Sequence, residues 1–139
     1  MTQDDILYVQ SSWRTVLPMK ETAAALFYRK LFQLDPSLRA LFSHDMDQQG
    51  AKLIQMITAA VRALDRLDVL LPVVRELGTR HLTYGVRDEH YGSVGMALLW
   101  TLEQALRQDF TPEVKSAWIK TYGVLSQTMR EAAVAHEAA

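Results

Sequence analysis

Four histidines, five tyrosines and no cysteine define the chemistry open to this chain of 139 residues. Without thiolates there is no disulfide, no cysteine-ligated zinc or iron–sulfur centre, and no haem attached through C-x-x-C-H. The histidines are His44, His81, His90 and His136, with no pair three or four apart, so no helix face offers a ready zinc site. The sequence also lacks G-x-S-x-G, a Walker loop, G-x-G-x-x-G and H-E-x-x-H. By spacing alone, His81 is one histidine near a helix end, four residues after Leu77 and ahead of Gly85. A partly exposed histidine at a helix C-terminus accounts for it.

The elements that must position these residues are helices. Six glycines and four prolines fall well below the average of roughly 12% for the two together. Pro18, Pro36, Gly50, Pro72, Gly85, Gly92 and Pro112 divide the chain into helix-sized pieces. The first helix starts at Thr2, with Asp5 as its capping-box partner, and turns Ile6, Val9, Trp13, Val16 and Leu17 inward. A second runs from Glu21 to Leu34 and buries Ala24, Phe27, Tyr28, Leu31 and Phe32. After a short turn over 37–42, a third spans Gln48 to Leu67, with Leu53, Ile54, Ile57, Ala60, Val61 and Leu64 on one face. The stretch Val69–His81 reads as a shorter helix with Val73, Val74 and Leu77 inward. Another covers Glu89–Gln108, and the last opens with Thr111 as N-cap and Pro112 at N1. No segment alternates with period two between turn signals, so the chain reads as a single all-α domain over residues 1–139.

Charge and patterning narrow the function classes. Fifteen basic against sixteen acidic residues leave a formal charge of −1, which gives no long-range pull toward nucleic acid. No segment reaches the ~18 apolar residues of a membrane span. The acidic start Met1-Thr2-Gln3-Asp4-Asp5 lacks a basic region ahead of an apolar run, so a cytoplasmic location is expected.

Taken in order, the motifs carry more than any one alone. Trp13 stands in the first helix, Phe27-Tyr28-x-x-Leu31-Phe32 in the second, and Pro36 opens a turn ending in Leu41-Phe42. Leu77 with His81, the Gly85-Val86 corner, His90-Tyr91-Gly92-x-Val94-Gly95 and Trp118-x-x-x-Tyr122-Gly123 follow. This order resembles the globin family, in particular single-domain bacterial globins and the globin portion of flavohaemoglobins, over essentially the whole chain. The resemblance implies a globin fold with a short or absent fourth helix. It also implies a haem whose iron is ligated by His81, and the missing cysteines make it non-covalent haem b. Phe42 matches the family's ring-packing phenylalanine, and Val86, Val94 and Leu98 are expected to line the pocket; each also suits ordinary core packing. Lys52 matches a position near a haem propionate, as Arg80 and Tyr84 would, although a solvated lysine is the plainer explanation. His44, His90 and His136 are left as surface residues.

On the distal side the resemblance sets Tyr28 and Gln49 beside the ligand, with Leu53 one turn beyond Gln49. Gln48 is the alternative by one register. Many globins carry histidine at the Gln49 position, and this chain departs from them. Two donors that do not themselves ligate iron favour O₂ over the less polar CO. On the proximal side Tyr91 matches the flavohaemoglobin tyrosine that helps orient the iron-bound histidine. Its glutamate partner does not carry over: the place falls on Ala133, with Glu131 two residues earlier. The functions implied are reversible O₂ binding, NO dioxygenation served by a separate reductase, and, third, gas sensing.

Overall fold

The computed structural model describes residues 1–42 and 45–138; the expectation for His44 lies outside them. Among the described residues six α-helices follow one another: α1 (Gln3–Val16), α2 (Lys20–Leu34), α3 (Met46–Arg62), α4 (Leu67–Thr83), α5 (His90–Leu106) and α6 (Pro112–Ala138). Short 3₁₀ turns at Leu17–Met19, Pro36–Leu41 and Arg107–Asp109 join them. No strand occurs among the described residues, and no helix there is long and apolar enough to cross a membrane.

Local chemistry explains most boundaries. The Thr2 hydroxyl accepts from Asp5 N–H (3.1 Å) while the Asp5 carboxylate accepts from Thr2 N–H (2.8 Å), completing the expected capping box. Those bonds, the Thr2 amide first, hold the Asp5 carboxyl below its ordinary pKa. Thr111 caps α6 through Val114 N–H (3.2 Å). The third helix begins at Met46 rather than Gln48 because Asp45 accepts from Asp47 N–H (2.8 Å), and it ends at Arg62 rather than Leu67. Pro72 lies inside α4 instead of separating helices. Near a helix start, proline forfeits a single backbone bond, to the carbonyl of exposed Asp68.

Two packed clusters hold the helices. One joins Val9, Trp13 and Val16 of α1 to Leu102 and Leu106 of α5 and to Ala117 and Trp118 of α6. Within it Trp118 donates to Ser12 Oγ (2.8 Å) and Trp13 to Thr58 Oγ1 (3.0 Å), so both indole N–H groups are satisfied away from water. The other is aromatic: Phe27, Tyr28, Leu31, Leu38 and Ala97, with Phe32, Phe42, Leu53, Val94 and Leu98 against them. The Phe42 ring stands edge-on to Tyr28, centroids 5.3 Å apart.

Packing is uneven among the helices. α4 lies along α6, α2 along α5, and α3 along α2, whereas α3 and α4 scarcely meet beyond their shared corner. At that corner Val61, Leu64, Leu70 and Val74 are buried. Val73, expected inward, is 61% exposed. The buried row of α4 is Leu70, Val74 and Gly78, spaced by four, and Val73 sits about 100° around the helix from Val74.

Gly78 is where α4 touches α6. A Cβ there would lie 2.6 Å from Met129 Cα and as close to its carbonyl, so only glycine lets the two backbones meet. Gly78→Ala is therefore expected to lower stability by about 1–3 kcal/mol through forced separation of the helices. Gly92, with open space around its Cβ position, is the control. Its alanine variant should gain about 0.5–1 kcal/mol. Urea unfolding of both variants measures the difference, and equal effects would contradict the close crossing.

Candidate functional site

Beyond their corner, α3 and α4 carry the residues singled out by the sequence. On α4, Leu77 and His81 are half-buried. His81 Nδ1 lies 2.7 Å from the Leu77 carbonyl oxygen. A carbonyl only accepts, so Nδ1 carries the proton; in the neutral ring the lone pair then lies on Nε2, the form in which imidazole ligates metals. Four residues on, Gly85 takes φ +95, and Val86 N–H turns back to the His81 carbonyl (2.9 Å). This closes α4 with a left-handed glycine. Leu77 and Val86 are half-buried yet join neither apolar cluster.

On α3, Gln49 is half-buried and Gln48 exposed. The Gln49 side chain lies near enough to the Tyr28 hydroxyl to influence it. Burial raises the Tyr28 pKa above its ordinary value, and the nearby Gln49 amide opposes that rise. The helix turn that brings Gln49 to Tyr28 also brings Leu53 onto the aromatic cluster with Phe42, Val94 and Leu98. Lys52 is exposed, as is Tyr84. Arg80 is exposed and pairs with Glu76 (2.6 Å).

A separate groove of about 830 Å³ opens between α2 and α3, lined by Tyr28, Phe32, Arg29, Arg39 and Gly50 among others. It does not include Gln49, Leu53 or His81. Tyr28 thus lies between that groove and the aromatic cluster.

Several residues gain partners that spacing did not disclose. His90, expected at the surface, is only 8% exposed, and its Nδ1 accepts from Arg87 N–H (2.9 Å). The imidazole, on the first residue of α5, reaches back to satisfy a backbone donor in the corner ahead of the helix. His136 is exposed, as expected. Tyr91 is buried, and its carbonyl accepts from the Tyr122 hydroxyl (2.6 Å). The Tyr122 ring lies on Gly95, where a Cβ would come within 2.7 Å of it. Burial raises the phenol pKa of both tyrosines. Glu131 is exposed and accepts from Gln127 (3.0 Å), a bond along one face of α6.

A family model described as Globin matches residues 25–129. The flavohemoprotein of Bordetella parapertussis is 38% identical over 118 residues, which cover 80% of this chain and 29% of that protein. The Bacillus subtilis flavohemoprotein is 34% identical over 109 residues, covering 76% and 27%. The chain therefore spans little more than a quarter of these relatives. Among solved structures, an engineered carbene transferase made from a candidate nitric oxide dioxygenase of Rhodothermus marinus superposes with a TM-score of 0.88. It is 24% identical, covers 99% of this chain and 96% of its own, and at that identity shows the fold.

The raised Tyr28 pKa has a measurable consequence. The phenol stays protonated, and so remains a donor, throughout the neutral range. Because the folded-state pKa lies above the unfolded one, Tyr28 holds its proton where the unfolded chain releases it. Stability contributed by this group is present below pH ~10 and lost as pH rises past it. Phenolate absorbance of the native protein minus that of Tyr28→Phe is expected to appear only above pH ~10. A difference developing near neutrality would contradict the burial of the hydroxyl.

Proposed function

The chain belongs to the globin family, and from that premise we propose that it is a haem b globin that binds O₂ reversibly and tightly, as a carrier, store or buffer. The observation that carries this is the His81 imidazole, whose Nδ1–H is committed to the Leu77 carbonyl, which leaves the neutral ring's lone pair on Nε2. Around it the chain's residues suit a flat apolar macrocycle. Among the described residues Leu77 and Val86 are half-buried without a place in either core cluster, and α3 and α4 scarcely touch. Phe42, Leu53, Val94 and Leu98 supply further apolar side chains. No cysteine is available for covalent attachment, which supports haem b over haem c. The haem supplies an iron with one position for a diatomic gas.

The remaining work falls to the protein. Leu77 fixes the tautomer and ring direction of His81, and its carbonyl adds modest electron density through the imidazole. Tyr28 and Gln49 donate hydrogen bonds from the α2–α3 side. Neither a phenol held protonated by burial nor a neutral amide would compete as an iron ligand, so both would leave the bound iron free to take a gas. Donors fixed in an apolar surround need little rearrangement to meet the partial negative charge of a polar ligand such as O₂, so they favour it over CO. Lys52 and Arg80, both exposed, suit the propionate edge, where their contribution to binding is small.

NO dioxygenation with electrons from a separate reductase is the second reading. The similarity to flavohemoproteins, several times longer than this chain, favours it, and Tyr28 and Gln49 would serve it unchanged. Purified protein supplied with haem is expected to show a strong Soret band that His81→Ala loses. Tyr28→Phe is expected to speed O₂ dissociation on the order of tenfold, the worth of one hydrogen bond of about 1.5 kcal/mol. Stopped-flow measurement checks this, and an unchanged rate would remove Tyr28 from the ligand site. Catalytic NO consumption with a reductant would decide for the second reading.

A further inference from the structure

The corner between α4 and α5, residues 84–89, begins three residues after His81 and is exposed except at Val86. Its internal bonds include the turn-back of Val86 N–H, the bond from Arg87 N–H to the His90 ring, and the bonds from His90 and Tyr91 N–H to the Arg87 and Asp88 carbonyls. Its side-chain tie to α6 is Asp88. Both carboxylate oxygens of Asp88 accept from Arg130 of α6, from Nε at 2.6 Å and from the guanidinium terminus at 3.0 Å. This two-pronged geometry constrains direction as well as distance. Two turns earlier on α6, Tyr122 holds the first turn of α5 through the Tyr91 carbonyl. Arg130 precedes Ala133 by three residues, so the two share one side of α6. Its charge is felt by both buried phenols, whose pKa values it lowers against the effect of burial.

We propose that Arg130 is a positioning residue for the proximal side of the haem: through Asp88 it clamps the α4–α5 corner to α6 and thereby fixes the orientation of His81 and Tyr91. Among the described residues no carboxylate bonds to His81, whose partner is the Leu77 carbonyl. Ring orientation must then come from the backbone that carries the histidine. That backbone is held at Gly78, where α4 meets Met129, and at the corner, where Arg130 grips Asp88. Met129 and Arg130 are adjacent, so one turn of α6 fixes α4 both before and after His81. The pair is exposed, and its effect is directional rather than a large share of stability.

The inference rests on His81 as the iron ligand, and the experiment separates the two ideas. Resonance Raman spectra of the ferrous, ligand-free protein give the iron–histidine stretch, whose absence in the native protein would overturn the ligation itself. With that band present, Arg130→Ala and Asp88→Asn are expected to move it in the same direction. The double variant should shift it no further than either single one, and Arg130→Lys should recover part of the shift by keeping charge without the fork. Amide exchange at Val86 and Arg87 should accelerate several-fold in the same variants. A band unmoved in both single variants, with only a lower Tm, would overturn the positioning role.

Discussion

The rotation of α4 about its own axis governs the candidate site, and it is set where Gly78 lets the α4 backbone rest on Met129. A helix that meets its neighbour through side chains can roll by repacking them, whereas one that meets it backbone to backbone has far less freedom. With that contact fixed, Leu70 and Val74 face the core, Val73 faces solvent, and Leu77 and His81 are left half-covered. The imidazole then finds the Leu77 carbonyl one turn back, and its protonation pattern follows from that geometry.

The two sides of the site are built differently. The α2–α3 side is an aromatic cluster in which Tyr28 is held by rings and modulated by one amide. Its polarity is sparse and fixed, which suits recognition of a small polar ligand in an apolar surround. The α4–α5 side holds polar groups at its margin: Tyr122 on the Tyr91 carbonyl, His90 on Arg87, and Arg130 on Asp88. These bonds tie helix ends and corners together instead of filling space.

Much of this was legible in the sequence, for reasons that differ by residue. The capping box of Thr2 and Asp5 and the Thr111-Pro112 start are local chemistry, and they form where spacing places them. Trp13, Trp118 and Leu102 follow helical periodicity into the core. Val73 did not, because apolar type alone cannot say which of two adjacent valines falls on the buried row. His90 was missed because its partner is the backbone of a corner whose shape depends on Gly85. Arg130 was silent for a similar reason: its partner is 42 residues away in sequence. Gln49 and Gln48 were separable only once α3 had a fixed rotation, which leaves Gln49 half-buried against Tyr28.

The tryptophan pair joining α1 to α6 has a consequence of another kind. Trp13 and Trp118 stand 5.9 Å apart with their planes inclined at 59°, each pinned by a hydrogen bond from its ring nitrogen. Two aromatic chromophores so close and so rigidly oriented couple their electronic transitions, giving a near-ultraviolet circular dichroism signature that depends on a fixed geometry. They belong to the cluster that does not hold Tyr28 and Phe42, so the molecule contains an optical gauge of its helix scaffold.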